Sequence, residues 1–354
     1  MILKELGYNN KLEQFRIENG LSSFEVGRVI LEHKERYIIK TPNKEYDAEL
    51  MGNLRFTAES RYDFPAVGDW VAFMEYDDGK GIIHAVFPRE SIIERKAVGK
   101  TGQVQIIATN IDYGLIVQAV DRDFNLNRLE RYLTICHSSK VKPIIVLSKV
   151  DLISESELQS IQQQIEERIK KTPVLMVSNE SIGYEQVDAF IESGKTYCLL
   201  GSSGAGKSTL LNGLLGKEEM KTGEISNSVN KGKHTTSHRE LIVLANGGIL
   251  IDNPGMREVG ITDCSGGLEM TFESILDYAA HCKFKDCTHI HESDCAILKA
   301  VEDGGISEEA YLNFQKMEKE KQHFESDTQE RRKKDKDFGK MIKNVKKHRK
   351  NNKY

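Results

Sequence analysis

The chain has 354 residues, 39% hydrophobic and 29% charged, which allows two or three domains with real cores and excludes a disordered or fibrous protein. Its formal net charge of −4 excludes a uniformly basic nucleic-acid coat, yet residues 331–353 carry twelve Lys or Arg against two Asp. No apolar run approaches bilayer-spanning length and the opening MILKELGYNNKLEQF has no signal-peptide architecture, so a soluble, cytoplasmic protein without a membrane partner is expected.

From Gly27 to Glu94 the chain runs in short β-rich pieces: Gly27–Leu31, Arg36–Lys40, the region around Ala48–Phe56, Asp69–Tyr76 and Gly81–Phe87. Turn material such as TPNK and DDGKG separates them, which suits a small barrel of the oligonucleotide-binding type. Acids slightly outnumber bases in the first hundred residues, so RNA binding and a purely structural role both remain open for this module. Pro88–Gln103 reads as a polar linker.

A different grammar begins near Ile106. Strands and helices alternate: Tyr113–Val120, a helix over Leu126–Ser138, Lys142–Leu147, a helix over Ser154–Lys171, then Val174–Val177 and Thr196–Leu200. Such alternation predicts a mainly parallel sheet, covered by helices on both faces, with a ligand at the carboxyl ends of its strands.

Gly201, Ser202, Ser203, Gly204, Ala205, Gly206, Lys207, Ser208 and Thr209 fit the spacing G-x-x-x-x-G-K-[ST] of a nucleotide phosphate loop. The glycines let backbone amides turn toward a polyphosphate, Lys207 supplies a point charge, and the Ser208 hydroxyl suits Mg²⁺. The apolar stretch after it predicts a helix whose N-terminus faces the anion.

Two strand ends upstream suit a purine. Ser148, Lys149, Val150 and Asp151 resemble the N-K-x-D element of GTPases: a carboxylate at Asp151 can accept from both guanine donors, a pair that adenine lacks, while the Lys149 stem packs over the base. Ser178 and Asn179 resemble the element whose backbone amide meets guanine O6. Downstream, Thr235 and Thr236 are alternative residues for closing on Mg²⁺ and the γ phosphate, followed by predicted strands at Arg239–Ala245 and Gly248–Ile251. Asp252 and Gly255 fit D-x-x-G, with Asp252 holding Mg²⁺ through water and the Gly255 amide sensing the γ phosphate. Met256, next in line, cannot orient a water, so His234 is the candidate catalytic residue, with a plain RNA contact as its alternative role. The base loop precedes the phosphate loop, which is a circular permutation of the ordinary GTPase order.

Cys282, Cys287, His289 and Cys295 form C-x4-C-x-H-x5-C, a closed Cys₃His set suited to one structural zinc. After Ser307 the chain reads as a charged helix ending in the basic tail, where contact with RNA phosphates and a self-repelling free state are both expected.

The permuted order, GSSGAGKST, KHTTSHRE, DNPGMRE and the Cys/His cluster, with AVGDWV (Ala66–Val71) and DFNLNRLERYL (Asp123–Leu133), resemble the ribosome small subunit-dependent GTPase A family. The resemblance extends across the chain. It implies an oligonucleotide-binding-like barrel at 1–100, a circularly permuted GTPase domain at 101–265 and a helical zinc-binding domain with a basic tail at 266–354. It also implies GTP hydrolysis to GDP, stimulated by the small ribosomal subunit and its rRNA, with release after hydrolysis. The imidazole ligand falls at His289, leaving His281 and His291 outside the metal set. A monomer is expected.

Two positions depart from the family pattern. Ser148 replaces asparagine, and its shorter side chain is expected to lose a contact propping the base loop, worth about 1 kcal/mol, with guanine selectivity surviving through Asp151. Asn253 replaces threonine at a variable position. Two other function classes fit the same residues: a P-loop ATPase or kinase in which SKVD is incidental, and a nucleotide-gated RNA-binding module with negligible turnover.

Overall fold

The computed structural model describes residues 2–33, 35–96, 104–121, 124–178, 183–216, 240–252 and 266–326. After helix α1 (Asn10–Glu18), capped by the Asn9 side chain, come strands β1 (Glu25–His33), β2 (Arg36–Lys40) and β3 (Glu45–Leu50). Helix α2 (Gly52–Thr57) leads on to β4 (Trp70–Asp77) and β5 (Lys80–Val86). Hydrogen bonding runs β1-β2-β3-β5-β4, and β4 pairs back onto β1, so the five strands close into a barrel. Alternate residues fill it: Val29, Tyr37, Ile39, Ala48, Val71, Phe73 and Ile83 are buried together.

Two expectations need correction here. The chain after Leu50 turns into α2 rather than continuing as a strand, and Phe56 is 95% exposed, so no sheet neighbour covers it. Within the expected linker, Ile92–Lys96 is strand β6, paired antiparallel with β7 (Val104–Thr109). Ile93 is buried against the core of the following domain, and this apolar anchor outweighs the polar residues around it.

The second domain contains β8 (Tyr113–Ala119), α3 (Leu126–Ser138), β9 (Lys142–Ser148), α4 (Glu155–Arg168), β10 (Val174–Val177), α5 (Tyr184–Phe190) and β11 (Thr196–Leu200). It continues with α6 (Lys207–Leu215), β12 (Glu240–Val243) and β13 (Ile249–Asp252). Spatial order is β10-β9-β8-β11-β13-β12, parallel apart from β12. One face buries Ile116, Leu147, Cys198 and Ile251 under α3 and α4, and the other buries Leu115, Val146, Leu199 and Leu250 under α5 and α6. The core is therefore two apolar layers around a central sheet.

The C-terminal domain has α7 (Gly267–Thr271), α8 (Glu273–Ala279), α9 (Ala296–Glu302) and helical residues 308–326, here α10. Leu268, Phe272, Ile275, Ile297, Phe314 and Met317 make its small core. Among the described residues no helix is long and apolar enough to cross a membrane.

Barrel and central sheet meet where β1 pairs with β12, and one buried cation knits them further. Arg28, 1% exposed, donates to the carbonyls of Leu6 (2.7 Å), Gly68 (3.2 Å) and Asn110 (3.0 Å), which belong to the N-terminal segment, the barrel and the β7–β8 turn. Burial pushes its guanidinium down from the usual range, opposed by Asp112 and Asp69. The AVGDWV motif supplies the matching turn: buried Asp69 accepts from the Ala66 amide and from Arg89, whose other nitrogens reach the carbonyls of Tyr62 and Phe64. Arg28→Met should leave three buried carbonyls without a charged donor and lower unfolding stability by about 3 kcal/mol or more in denaturant titration. Arg28→Lys, a point charge without the planar fork, should recover only part of that.

Candidate nucleotide site and metal centre

Strand register brings the sequence-predicted loops to one edge. Ser148 at the end of β9 is level with Ala119 on β8 and Val177 on β10, while Leu200 on β11 pairs with Ile116 on β8 and Cys198 with Ile251 on β13. Parallel strands deliver their carboxyl ends to the same side, so Asp151, Ser178, the phosphate loop and Asp252 share that rim.

The loops are also tied sideways. The Ser148 hydroxyl donates to the Ala205 carbonyl at 2.6 Å, in a buried bond between residues 57 positions apart. Gly206, at φ +88°, passes so close to Ser148 that a Cβ there would lie 3.2 Å from its hydroxyl oxygen. The expected loss of support at Ser148 is thus not what the structure has: the shorter side chain reaches the phosphate loop because the loop comes to it.

In the phosphate loop, Ala205 is buried whereas Ser203, Gly204, Ser208 and Thr209 are exposed, the last two on the first turn of α6. The Lys207 ammonium folds over the loop onto the carbonyls of Gly201 (2.8 Å) and Ser202 (2.6 Å). Burial holds it below the usual lysine range, and the nearby Asp252 carboxylate opposes that shift. A half-buried lysine beside an exposed helix N-terminus is a site for a polyanion. Glu240 is the cross-strand partner of Asp252, and burial pushes its carboxyl up, with Glu45 and Asp252 acting in the same direction.

At the base loop, Lys149 takes the left-handed conformation (φ 60°), Asp151 is exposed and Ser178 is buried. The Lys149 ammonium bonds Asp121 at 2.8 Å, fixing the line of its stem. Asn179, His234, Thr235, Thr236, Asn253, Gly255, Met256 and the tail at 331–353 lie outside the described residues.

Three residues near the site escaped the sequence. Asp121 anchors Lys149; Arg128 of α3 donates to the Ser202 hydroxyl at 3.3 Å; Tyr184 lies within electrostatic reach of Asp151, and its ring packs where a Cβ on Gly213 of α6 would fall. Arg128 stands inside DFNLNRLERYL, a motif that marks a helix without saying what the helix touches.

The metal cluster assembles in the C-terminal domain. The ligand atoms of Cys282, Cys287, His289 and Cys295 all lie within 4.8 Å of one another. His289 Nδ1 is 3.6 Å from Cys282 Sγ and 3.5 Å from Cys295 Sγ, and the two sulfurs are 3.9 Å apart. A tetrahedron with zinc's ordinary bond lengths has edges of about 3.8 Å between sulfurs and about 3.5 Å from sulfur to nitrogen, so the set fits zinc. The His289 carbonyl accepts from Tyr311 (2.6 Å) and Gln315 (3.2 Å) of α10, and Glu292 accepts from the amides of Thr288 and Ile290 on either side of it. His281 and His291 are exposed and outside the cluster.

The family model described as RsgA GTPase matches residues 86–262. A small ribosomal subunit biogenesis GTPase RsgA 1 from Bacteroides thetaiotaomicron is 38% identical over 327 residues, covering 92% of this chain and 91% of that one. Another from Listeria innocua is 42% identical, covering 90% and 89%. The chain belongs to the RsgA GTPase family. Family membership makes it a circularly permuted GTPase, in keeping with the chain order of its loops. An ABC transporter model also matches, at residues 184–353, a span that includes the phosphate loop but neither β9 nor the base loop. The fold agrees with YjeQ from Thermotoga maritima (TM-score 0.62, 24% identity, 84% of this chain and 98% of that one). It agrees also with YloQ, described as a circularly permuted GTPase (TM-score 0.60, 23% identity, 85% and 96%).

Ser148→Ala should leave the Ala205 carbonyl buried and unpaired, weakening GTP binding by roughly five- to tenfold in equilibrium titration while the fold persists. Chelation or Cys295→Ser should lower the melting temperature of the C-terminal domain and release one zinc per chain, read by a colorimetric metal indicator.

Proposed function

We propose that the chain hydrolyses GTP on the small ribosomal subunit during late maturation, gripping rRNA in the GTP state and letting go after hydrolysis. The observation that carries this is the single rim on which Asp151, Lys207 and Asp252 converge, locked by the Ser148–Ala205 bond. The names of the relatives support the ribosomal partner.

In this proposal the base sits against Asp151, between the Lys149 stem and the loop of Ser178 and Asn179. The polyphosphate lies along the amides of residues 201–209 and draws Lys207 from the loop carbonyls. Mg²⁺, which neutralises the charge developing on the transferred phosphoryl group, would be held by the hydroxyls of Ser208 and either Thr235 or Thr236, with Asp252 acting through water. Gly255 senses the γ phosphate, and the chain after it leads to the zinc-binding domain. His234 positions the attacking water once rRNA orders the segment carrying it. The units at 1–100, 101–265 and 266–354 act as barrel, GTPase and zinc-binding domain, and the basic residues of 331–353 contact phosphates. The protein works in the cytoplasm as a monomer.

The match to the ABC transporter model at 184–353, which includes the phosphate loop, leaves a second reading, a P-loop ATPase. Competition between GTP and ATP separates the two. Under the GTPase reading Asp151→Asn lowers the preference for guanine by about 2–3 kcal/mol, because a carboxamide cannot accept from both guanine donors, and an unchanged preference defeats it. His234→Ala should abolish turnover stimulated by purified small subunits while sparing nucleotide affinity; full stimulation would remove His234 from the mechanism.

A further inference from the structure

We propose that α3 couples the phosphate loop to the C-terminal domain, with Arg128 as the positioning residue at the loop end. The inference rests on the nucleotide-site reading above and extends it to how the site is regulated. At the first turn of α3, Arg128 Nη1 is bonded to the Ser202 hydroxyl, and the Ser202 carbonyl is one of the two acceptors of Lys207. Two cations therefore meet at one loop residue. A polyphosphate that draws Lys207 off that carbonyl changes the field at Ser202, and Arg128 is the side chain of α3 placed to respond.

Further along the same helix a series of polar contacts faces the C-terminal domain or supports that contact. Glu130, 2% exposed, accepts from Arg168 through both oxygens (3.0 and 2.7 Å) and from Asn313 of α10 (2.6 Å). Arg168 also reaches Asn127, next to Arg128, at 2.7 Å. Arg131 forms a two-pronged pair with Glu320 of α10 (2.7 and 2.8 Å). Thr134 and His137 both meet the Thr271 hydroxyl of α7, at 3.0 and 3.1 Å. Gly267 opens α7 where a Cβ would stand 2.5 Å from the Thr134 carbonyl, so the two helices touch backbone to backbone. Spacings of three and four put these contacts on one side of a stiff helix. Its two ends thus read two sites, and by linkage an effect of nucleotide on the C-terminal domain equals the effect of that domain's partner on nucleotide.

The test is amide hydrogen exchange on the full chain with and without saturating Mg²⁺ and a non-hydrolysable GTP analogue. In the natural protein the analogue should change exchange in 308–326 by about fivefold. Arg128→Gln, at saturating nucleotide, should abolish that change while β8 and β9 stay protected, and Arg128→Lys should restore part of it. Arg131→Ala, which cuts a partly exposed pair, should confine the response to α3. An unchanged response in 308–326 for Arg128→Gln, or no response in the natural chain with the analogue bound, overturns the inference. Failure of the GTPase reading shows separately, as absence of GTP turnover with purified subunits, since the exchange measurement needs only a filled phosphate loop.

Discussion

The bond from the Ser148 hydroxyl to the Ala205 carbonyl is the contact on which the nucleotide site depends. In the proposed site, base recognition and phosphate binding come from loops on β9 and β11, with β8 lying between those strands. Register fixes their height, but register alone leaves two loops free to drift apart sideways, and a nucleotide would have to pay for holding them together. A buried neutral bond contributes only about 1 kcal/mol to stability, yet the same bond fixes in advance the spacing between base and phosphate. Gly206 makes it possible, because a side chain there would press on Ser148.

The C-terminal domain faces a different constraint. Its helices α7, α8 and α9 have five, seven and seven residues, too short to stand alone in water. Besides their small apolar core, they are held by the Cys/His cluster, whose histidine carbonyl is bonded to α10, and by the polar seam along α3. Glu130 in that seam is buried and Arg168 largely covered, so removing Arg168 leaves a buried carboxylate with Asn313 in place of a cation, which makes this pair costly to break and fixes how the two domains meet.

What the sequence revealed was local. The phosphate loop, the Cys/His spacing and the alternation of strands and helices are each spelled by neighbours in the chain, and the structure builds the corresponding elements. α2 escaped because Leu54 and Phe56 look like strand residues until it is seen that nothing covers Phe56. β6 escaped because only Ile92 and Ile93 stand out from polar surroundings. The bonds that complete the site, Ser148 to Ala205, Lys149 to Asp121 and Arg128 to Ser202, join residues 57, 28 and 74 positions apart. Spacing in the chain carries no trace of such contacts, since each exists only once the sheet has set its strand order.

Permutation gives that order a consequence. Because the domain begins at β8, α3 is made early, and the strand that leads out of the domain, β13, ends at the rim carrying Asp252. The C-terminal domain is consequently attached to the catalytic rim by its own chain and to α3 by its polar seam. In the unpermuted order the chain would leave from the strand after the base loop, and a domain added there would be tethered to the part of the site that touches the purine. Here it is tethered to the part that, in the proposed site, lies beside the γ phosphate, the group that differs between GTP and GDP. In the coupling proposed above, a domain held at both places has contacts whose strength changes with the nucleotide, which is the physical requirement for a GTPase whose grip on a large partner depends on what it has bound.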